Sequence, residues 1–221
     1  SKAKFTINGG GDQVYFSKGN LQYIGSAATP YWKFAENQWD YLGTNQSGTS
    51  QTVARDLFGW GTSGWNNGNY FYQPYNTSNV TSGSYTNSNG YGYGPTVGGV
   101  YTYSLVNDGN GHDFSNADWG VYNAISNGGN LSGFWRTLTN AEWGYVFSTR
   151  TAGGTVFGTS QARYTEATIN TDGTGVNGII LFPDGVDIAS SEVTTAGAVN
   201  GSSAWGTKCT TAQWAALEAK G

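Results

Sequence analysis

Three times along the chain a hydroxyl residue is followed by any residue, then alanine, then an acid or amide, then tryptophan. The copies are Ser115-Asn116-Ala117-Asp118-Trp119, Thr139-Asn140-Ala141-Glu142-Trp143 and Thr210-Thr211-Ala212-Gln213-Trp214. At this spacing the Ser or Thr side chain accepts from the backbone N–H three residues on. The Asp, Glu or Gln at that position reaches back to the cap's own N–H, which completes a capping box. The pattern predicts three short helices, each anchored by a tryptophan one turn in, within a chain otherwise built from strands and loops.

Composition agrees with such a fold. The 221 residues include 35 Gly, 15 Tyr, 10 Phe and 9 Trp, and only 11% are charged. A chain of this length can bury a real core. Gly, Asn, Ser and Thr between aromatic runs suit a β-rich exported protein, and the high aromatic content opposes disorder. The net charge is −4 with no cluster of Lys or Arg, so nucleic-acid binding lacks its electrostatic footprint. Cys209 is the single cysteine, which excludes an internal disulfide and a multi-cysteine metal site. No apolar run reaches the length of a membrane span, and Ser1-Lys2-Ala3-Lys4 is no signal peptide. The expectation is a mature or recombinant fragment of a secreted, cell-surface or phage-particle protein.

Along the chain, Val14-Tyr15-Phe16-Ser17, the turn signal Gly19-Asn20 and Leu21-Gln22-Tyr23-Ile24 predict a hairpin. Trp32-Lys33-Phe34-Ala35 and Trp39-Asp40-Tyr41-Leu42 have strand-like aromatic spacing. Residues 62–99 lose their aliphatics and any period, which predicts a long loop rich in Gly, Asn and Tyr. A first helix is expected over 113–127, with Trp119, Tyr122 and Ile125 at helical spacing and Asn127-Gly128-Gly129 as its stop. In the second, Trp143, Val146 and Phe147 form the buried stripe. Gly154-Thr155-Val156-Phe157 and 162–169 read as strands, and Val176–Phe182, the most apolar run, as the central one. A polar linker is expected over 187–206, then a helix bearing Trp214, Leu217 and Lys220. Trp119, Trp143 and Trp214 are all expected to be buried against the strand at 176–182.

These strings carry a resemblance. Val14-Tyr15-Phe16-Ser17-Lys18-Gly19-Asn20-Leu21-Gln22-Tyr23, Trp32-Lys33-Phe34-Ala35-Glu36-Asn37-Gln38-Trp39-Asp40, Asp56-Leu57-Phe58-Gly59-Trp60-Gly61 and Trp119-Gly120-Val121-Tyr122-Asn123-Ala124-Ile125 resemble secreted or surface proteins of gut Bacteroidota and their phages. Trp135-Arg136-Thr137-Leu138-Thr139-Asn140-Ala141-Glu142-Trp143 is similar to a signature of the C-type-lectin-like fold. Formylglycine-generating-enzyme-like proteins and the variable proteins of diversity-generating retroelements share that signature. The resemblance implies one α+β domain over 1–221 with a C-type-lectin-like core: a mixed, mostly antiparallel sheet with two or three short helices and long loops. Such proteins continue past the last helix into strands that carry the ligand-contacting residues. The expectation is therefore a domain truncated at its C-terminus, and no binding residue is carried over.

For catalysis the inventory is thin. His112 and Cys209 are the only residues of their kinds, and a nucleophilic thiol needs an adjacent base. The oxidase branch of the resembled fold needs a reactive cysteine pair. A glycosidase needs two carboxylates facing one cleft; Asp118, Glu142 and Glu36 each precede or neighbour Trp, and Asp118 and Glu142 fit capping boxes better. The string 107–113 places Asp108, Asn110 and Asp113 at the alternating spacing of a calcium loop. It also reads as an ordinary turn without the distal bidentate Glu, so no cofactor is expected unless calcium binds there. In the long loop, Trp60, Trp65, Tyr70, Tyr72, Tyr91 and Tyr93 lie among Gly, Ser and Asn, as in adaptable binding surfaces. The same rings would equally serve as the loop's own core. The leading functional expectation is a non-enzymatic surface or phage display protein that binds a glycan or protein ligand through loops. The alternatives are a self-assembling fibre or surface subunit and a glycan-active enzyme.

Overall fold

The structure, a computed structural model, describes residues 3–42, 54–56, 96–97, 100–101 and 118–221. Its strands are β1 (Phe5–Thr6), β2 (Gln13–Val14), β3 (Leu21–Ile24), β4 (Tyr31–Phe34), β5 (Ala54–Arg55), β6 (Thr96–Val97), β7 (Val100–Tyr101), β8 (Tyr164–Ile169), β9 (Val176–Leu181) and β10 (Thr207–Lys208). The helices are α1 (Trp119–Tyr122), α2 (Asn140–Gly144) and α3 (Thr211–Glu218), with a π-helical turn at Tyr145–Thr149 and a 3₁₀ turn at Ser190–Glu192. This is a mixed α+β arrangement of small antiparallel and mixed sheets with few helices. The chain divides into two compact units, one made of Ser1–Phe16 with Leu138–Gly221 and the other of Ser17–Thr137.

In the first unit β1 and β2 form an antiparallel hairpin, with Phe5 opposite Val14 and Thr6 opposite Gln13. Asn8 shapes its turn by accepting from the N–H groups of Gly10 and Asp12, at 3.0 and 3.2 Å. In a three-stranded sheet β8 is central, antiparallel to β9 and parallel to β10. Along β8, Thr165, Ala167 and Ile169 alternate inward as the strand period of two requires. Thr139 and Glu142 make the predicted capping box at α2: the Thr139 Oγ1 accepts from Glu142 N at 3.2 Å, and Glu142 accepts from Thr139 N at 2.8 Å. Thr210 and Gln213 repeat it at α3, at 3.2 and 2.9 Å. A core of Ile7, Leu138 and Val146, joined by Val14, Phe16, Trp143 and Leu181, ties hairpin, helix and sheet together. The chain leaves this unit at Phe16 and re-enters at Leu138, and both side chains belong to that one core.

The second unit pairs β3 with β4 and β5, both antiparallel, around Tyr23, Trp32, Phe34 and Ile125. Leu21, Trp119 and Trp135 pack on that cluster. The strands β6 and β7 form a separate antiparallel pair.

Several local expectations fail for identifiable reasons. No hairpin forms across Gly19-Asn20: Val14 pairs with β1, and β3 turns to β4 instead. Gly19 lies so close to the carbonyls of Ala35 and Asn37 that a Cβ there would sit 2.6 and 2.8 Å from their oxygens. The stretch at 39–42 is not a strand, because the Asp40 carboxylate accepts from Asn37 N at 3.0 Å and closes a local turn. Within the described part of 113–127 the helix is only Trp119–Tyr122. Asn123 turns extended, its side chain donating to Trp119 O, and Ile125 forms a β-bridge to Trp32. Helical spacing there marked one buried face without marking a helix.

The apolar run at 176–182 is an edge strand and not the centre of the sheet. It reads as apolar because it is Ile-rich, yet the buried alternation lies on β8. Of the segment at 154–157 only Val156 is strand-like, bridging to Thr159 and Ile188. Residues 187–206 are no loose linker: Ile188, Val199 and Thr195 bridge to Val156, Thr165 and Lys208. Beneath them the buried hydroxyls of Thr165 and Thr207 meet at 2.7 Å, and Thr165 also donates to Ala198 O at 2.8 Å. Of the three tryptophans only Trp214 is buried. Trp143 is half-buried, stacked on Phe16 and Phe147, and Trp119 is half-buried on the core of the second unit.

Candidate functional site

A hydrogen-bonded, exposed loop follows α1, over 127–135. Asn127 imitates a neighbouring strand: its side chain accepts from Phe34 N at 2.7 Å and donates to Phe34 O at 2.8 Å. Gly128 has no alternative, since a Cβ would stand 2.6 Å from Trp135 Nε1 and 2.7 Å from the Phe34 ring. That approach lets Trp135 Nε1 donate to Gly128 O at 2.7 Å while its ring meets Phe34 edge-on. Gly129, Asn130 and Gly133 take positive φ of 97°, 56° and 76°. Asn130 N donates to Ile125 O and Gly133 N to Gly120 O, each at 3.0 Å. At the base, Asp118 accepts from Thr137 N at 2.7 Å and from its hydroxyl at 3.0 Å. Burial pushes the Asp118 carboxyl above the usual range, and the Thr137 bonds and the Arg136 charge oppose it. Asp118 is thus the first residue of a loop clamp and the extended N-cap of α1, while its expected capping partner Ser115 lies outside the described residues. Hydrogen bonds pin this loop at Asn127, Gly128, Asn130 and Gly133, yet Leu131 is 62% exposed and Phe134 63%.

The loop aromatics named from sequence (Trp60, Trp65, Tyr70, Tyr72, Tyr91 and Tyr93) lie outside the described residues. So do the calcium-loop candidates Asp108, Asn110 and Asp113, and His112. Among the described residues no group of three His, Cys, Asp or Glu side chains is arranged to hold a metal, and no described helix is long and apolar enough to cross a membrane. Glu142 is committed to its capping box, and exposed Glu36 pairs with Lys18 at 3.3 Å.

Cys209 is fully buried, and burial pushes its thiol up to about 11. A thiol held so is neither ionised near neutrality nor reachable, which makes it a packing residue. A thiol-specific disulfide reagent is therefore expected to leave the native protein unmodified between about pH 7 and 9, where a free thiol of pKa about 8.5 reacts. The same reagent should titrate the thiol fully in denaturing urea. Fast native labelling would show the thiol to be accessible.

Sequence reasoning missed a buried ion-pair hub. Arg150 is fully buried at the end of the π turn; it donates to Phe182 O at 2.6 Å, to Arg163 O at 3.2 Å and to Asp184 at 3.3 Å. Its guanidinium also sits 5.2 Å from the centre of the Phe5 ring. Asp184, in the Pro183-Asp184-Gly185 turn, accepts from Thr6 N at 2.9 Å, Thr6 Oγ1 at 2.7 Å and Gln13 Nε2 at 2.9 Å. An open cleft of about 640 Å³ adjoins it, lined by Lys4, Gln13, Pro183, Asp184, Glu218 and Lys220 among others. Four hydrogen bonds converge on the Asp184 carboxylate, which makes the hub a tie between hairpin and sheet. The available signal was scarcity: with 11% charged residues, an Arg directly after a helix is worth pairing with a turn Asp.

Another exposed aromatic, Trp205, follows Ala204, both at positive φ (63° and 47°). Glu166 supports that turn by accepting from Ser203 N and Ser202 Oγ, each at 3.0 Å, and those bonds hold its carboxyl below the usual range. No family model matches the chain, and no curated protein or solved structure matches it either.

Proposed function

We propose that this chain is a non-enzymatic binding protein of a bacterial surface or phage particle, with a C-type-lectin-like core, that holds a glycan or protein ligand through loops. One observation carries the reading: hydrogen bonds pin the loop at Asn127, Gly128, Asn130 and Gly133, and it still presents Leu131 and Phe134 to solvent. Apolar side chains exposed on a rigid frame lose little entropy on binding, which is the economy of a preorganised site. The resemblance to surface and phage proteins supplies the setting, and Trp60, Trp65, Tyr70, Tyr72, Tyr91 and Tyr93 belong to the same proposal on composition alone.

The test is saturable binding of the labelled protein to animal epithelial cells, before and after treatment with glycosidases or protease. Binding should be lost on one treatment, and the Leu131→Ser/Phe134→Ala double variant should weaken it at least about tenfold with unchanged melting. A tenfold loss corresponds to about 1.4 kcal/mol, well within the worth of two buried apolar contacts. Binding that is absent, or equal for parent and variant, would sink the proposal.

A further inference from the structure

The strand β9, Val176-Asn177-Gly178-Ile179-Ile180-Leu181, pairs on one side only. Its six residues run in unbroken antiparallel register against β8, from Ile169 opposite Val176 to Tyr164 opposite Leu181, without a bulge. Among the described residues no backbone group of β9 bonds to anything beyond that ladder. Exposed edges of this kind are usually blunted by Lys, by Pro, by a bulge or by an inward charge. The strand has none of these, and it holds Ile179 half exposed, at 50%, in its middle.

We infer that β9 joins antiparallel to β9 of a second copy of this chain, making a two-fold symmetric dimer with a continuous sheet. The sequence of the strand is self-complementary in that arrangement. A two-fold axis through Ile179 opposes it to Ile179 of the other copy, Gly178 to Ile180, and Asn177 to Leu181. The glycine leaves room for the isoleucine across from it, and no two like charges face each other, although each copy carries a net charge of −4. A self-complementary patch is what an isologous interface requires, and two-fold dimers are the commonest closed assembly. A foreign strand would gain the same backbone bonds, but nothing in β9 selects one. The inference is independent of the ligand proposal, because Leu131 and Phe134 belong to the other unit.

Sedimentation across micromolar concentrations should show a reversible monomer–dimer equilibrium. Ile179→Lys places a charge opposite its own copy and should weaken dimerisation at least about tenfold, whereas Leu131→Lys should not change it. Because Ile179 is half exposed, the variant is expected to keep its native circular dichroism. Ile179→Cys supplies a second readout: under mild oxidation it should give a disulfide-linked dimer, while Leu131→Cys stays monomeric and buried Cys209 does not interfere. A chain monomeric throughout, a dimer indifferent to Ile179→Lys, open polymers, or no cross-link through Ile179→Cys would each overturn the inference.

Discussion

Arg150→Leu is expected to be the most damaging single change outside the aliphatic core, at about 3–5 kcal/mol, the usual cost of breaking a buried charge pair from one side. The substitution leaves Asp184 partly buried without its cation and removes the donors to the carbonyls of Phe182 and Arg163. For a chain of this size each kcal/mol moves the melting temperature by about 2–4 °C, so a drop of about 6–20 °C should appear in a thermal melt. Arg150→Lys should recover only part of it, since one ammonium cannot span the geometry of a planar fork. A variant that melts like the parent would mean the ion pair is not formed in solution.

Trp214→Ala is the second. Trp214 sits buried one turn into α3, beside buried Leu217 on the same helix. Truncating a buried Trp costs about 3–5 kcal/mol, a large share of the roughly 5–15 kcal/mol that holds a domain together. Trp119→Ala and Trp143→Ala should cost less, because both residues are less completely buried than Trp214. Urea unfolding of the three variants decides the ranking. If Trp143→Ala proves the worst, its stacking on Phe16 and Phe147 contributes more than its exposure suggests.

Much of the local structure was legible where chemistry acts over four residues. The capping boxes at Thr139 and Thr210 are present as their spacing required. Strand β8 and its partner β9 are legible in their apolar and β-branched content. At 115–119 the same motif sets its helix too early, since Asp118 is the extended N-cap of α1. Its acid Asp118 serves as a long-range acceptor for Thr137, which no window around 115–119 contains.

The site was less legible than the elements. The loop aromatics chosen from sequence lie outside the described residues, whereas Leu131 and Phe134 stand in a short stretch whose glycines read only as a helix stop. Their exposure follows from Asn127 pairing with Phe34 and from the Trp135 ring closing over Gly128, contacts that join segments far apart in the chain.

By itself the sequence determined where α2 and α3 begin, that Cys209 has no disulfide partner within the chain, and which runs become β8 and β9. Those outcomes depend on neighbours a few residues apart or on composition. Only the tertiary structure decided which strand is central, that Arg150 and Asp184 meet, and that β9 is, among the described residues, an uncharged open edge. Each of these depends on which distant segments come together, and alternation, capping and turn chemistry carry no record of that choice.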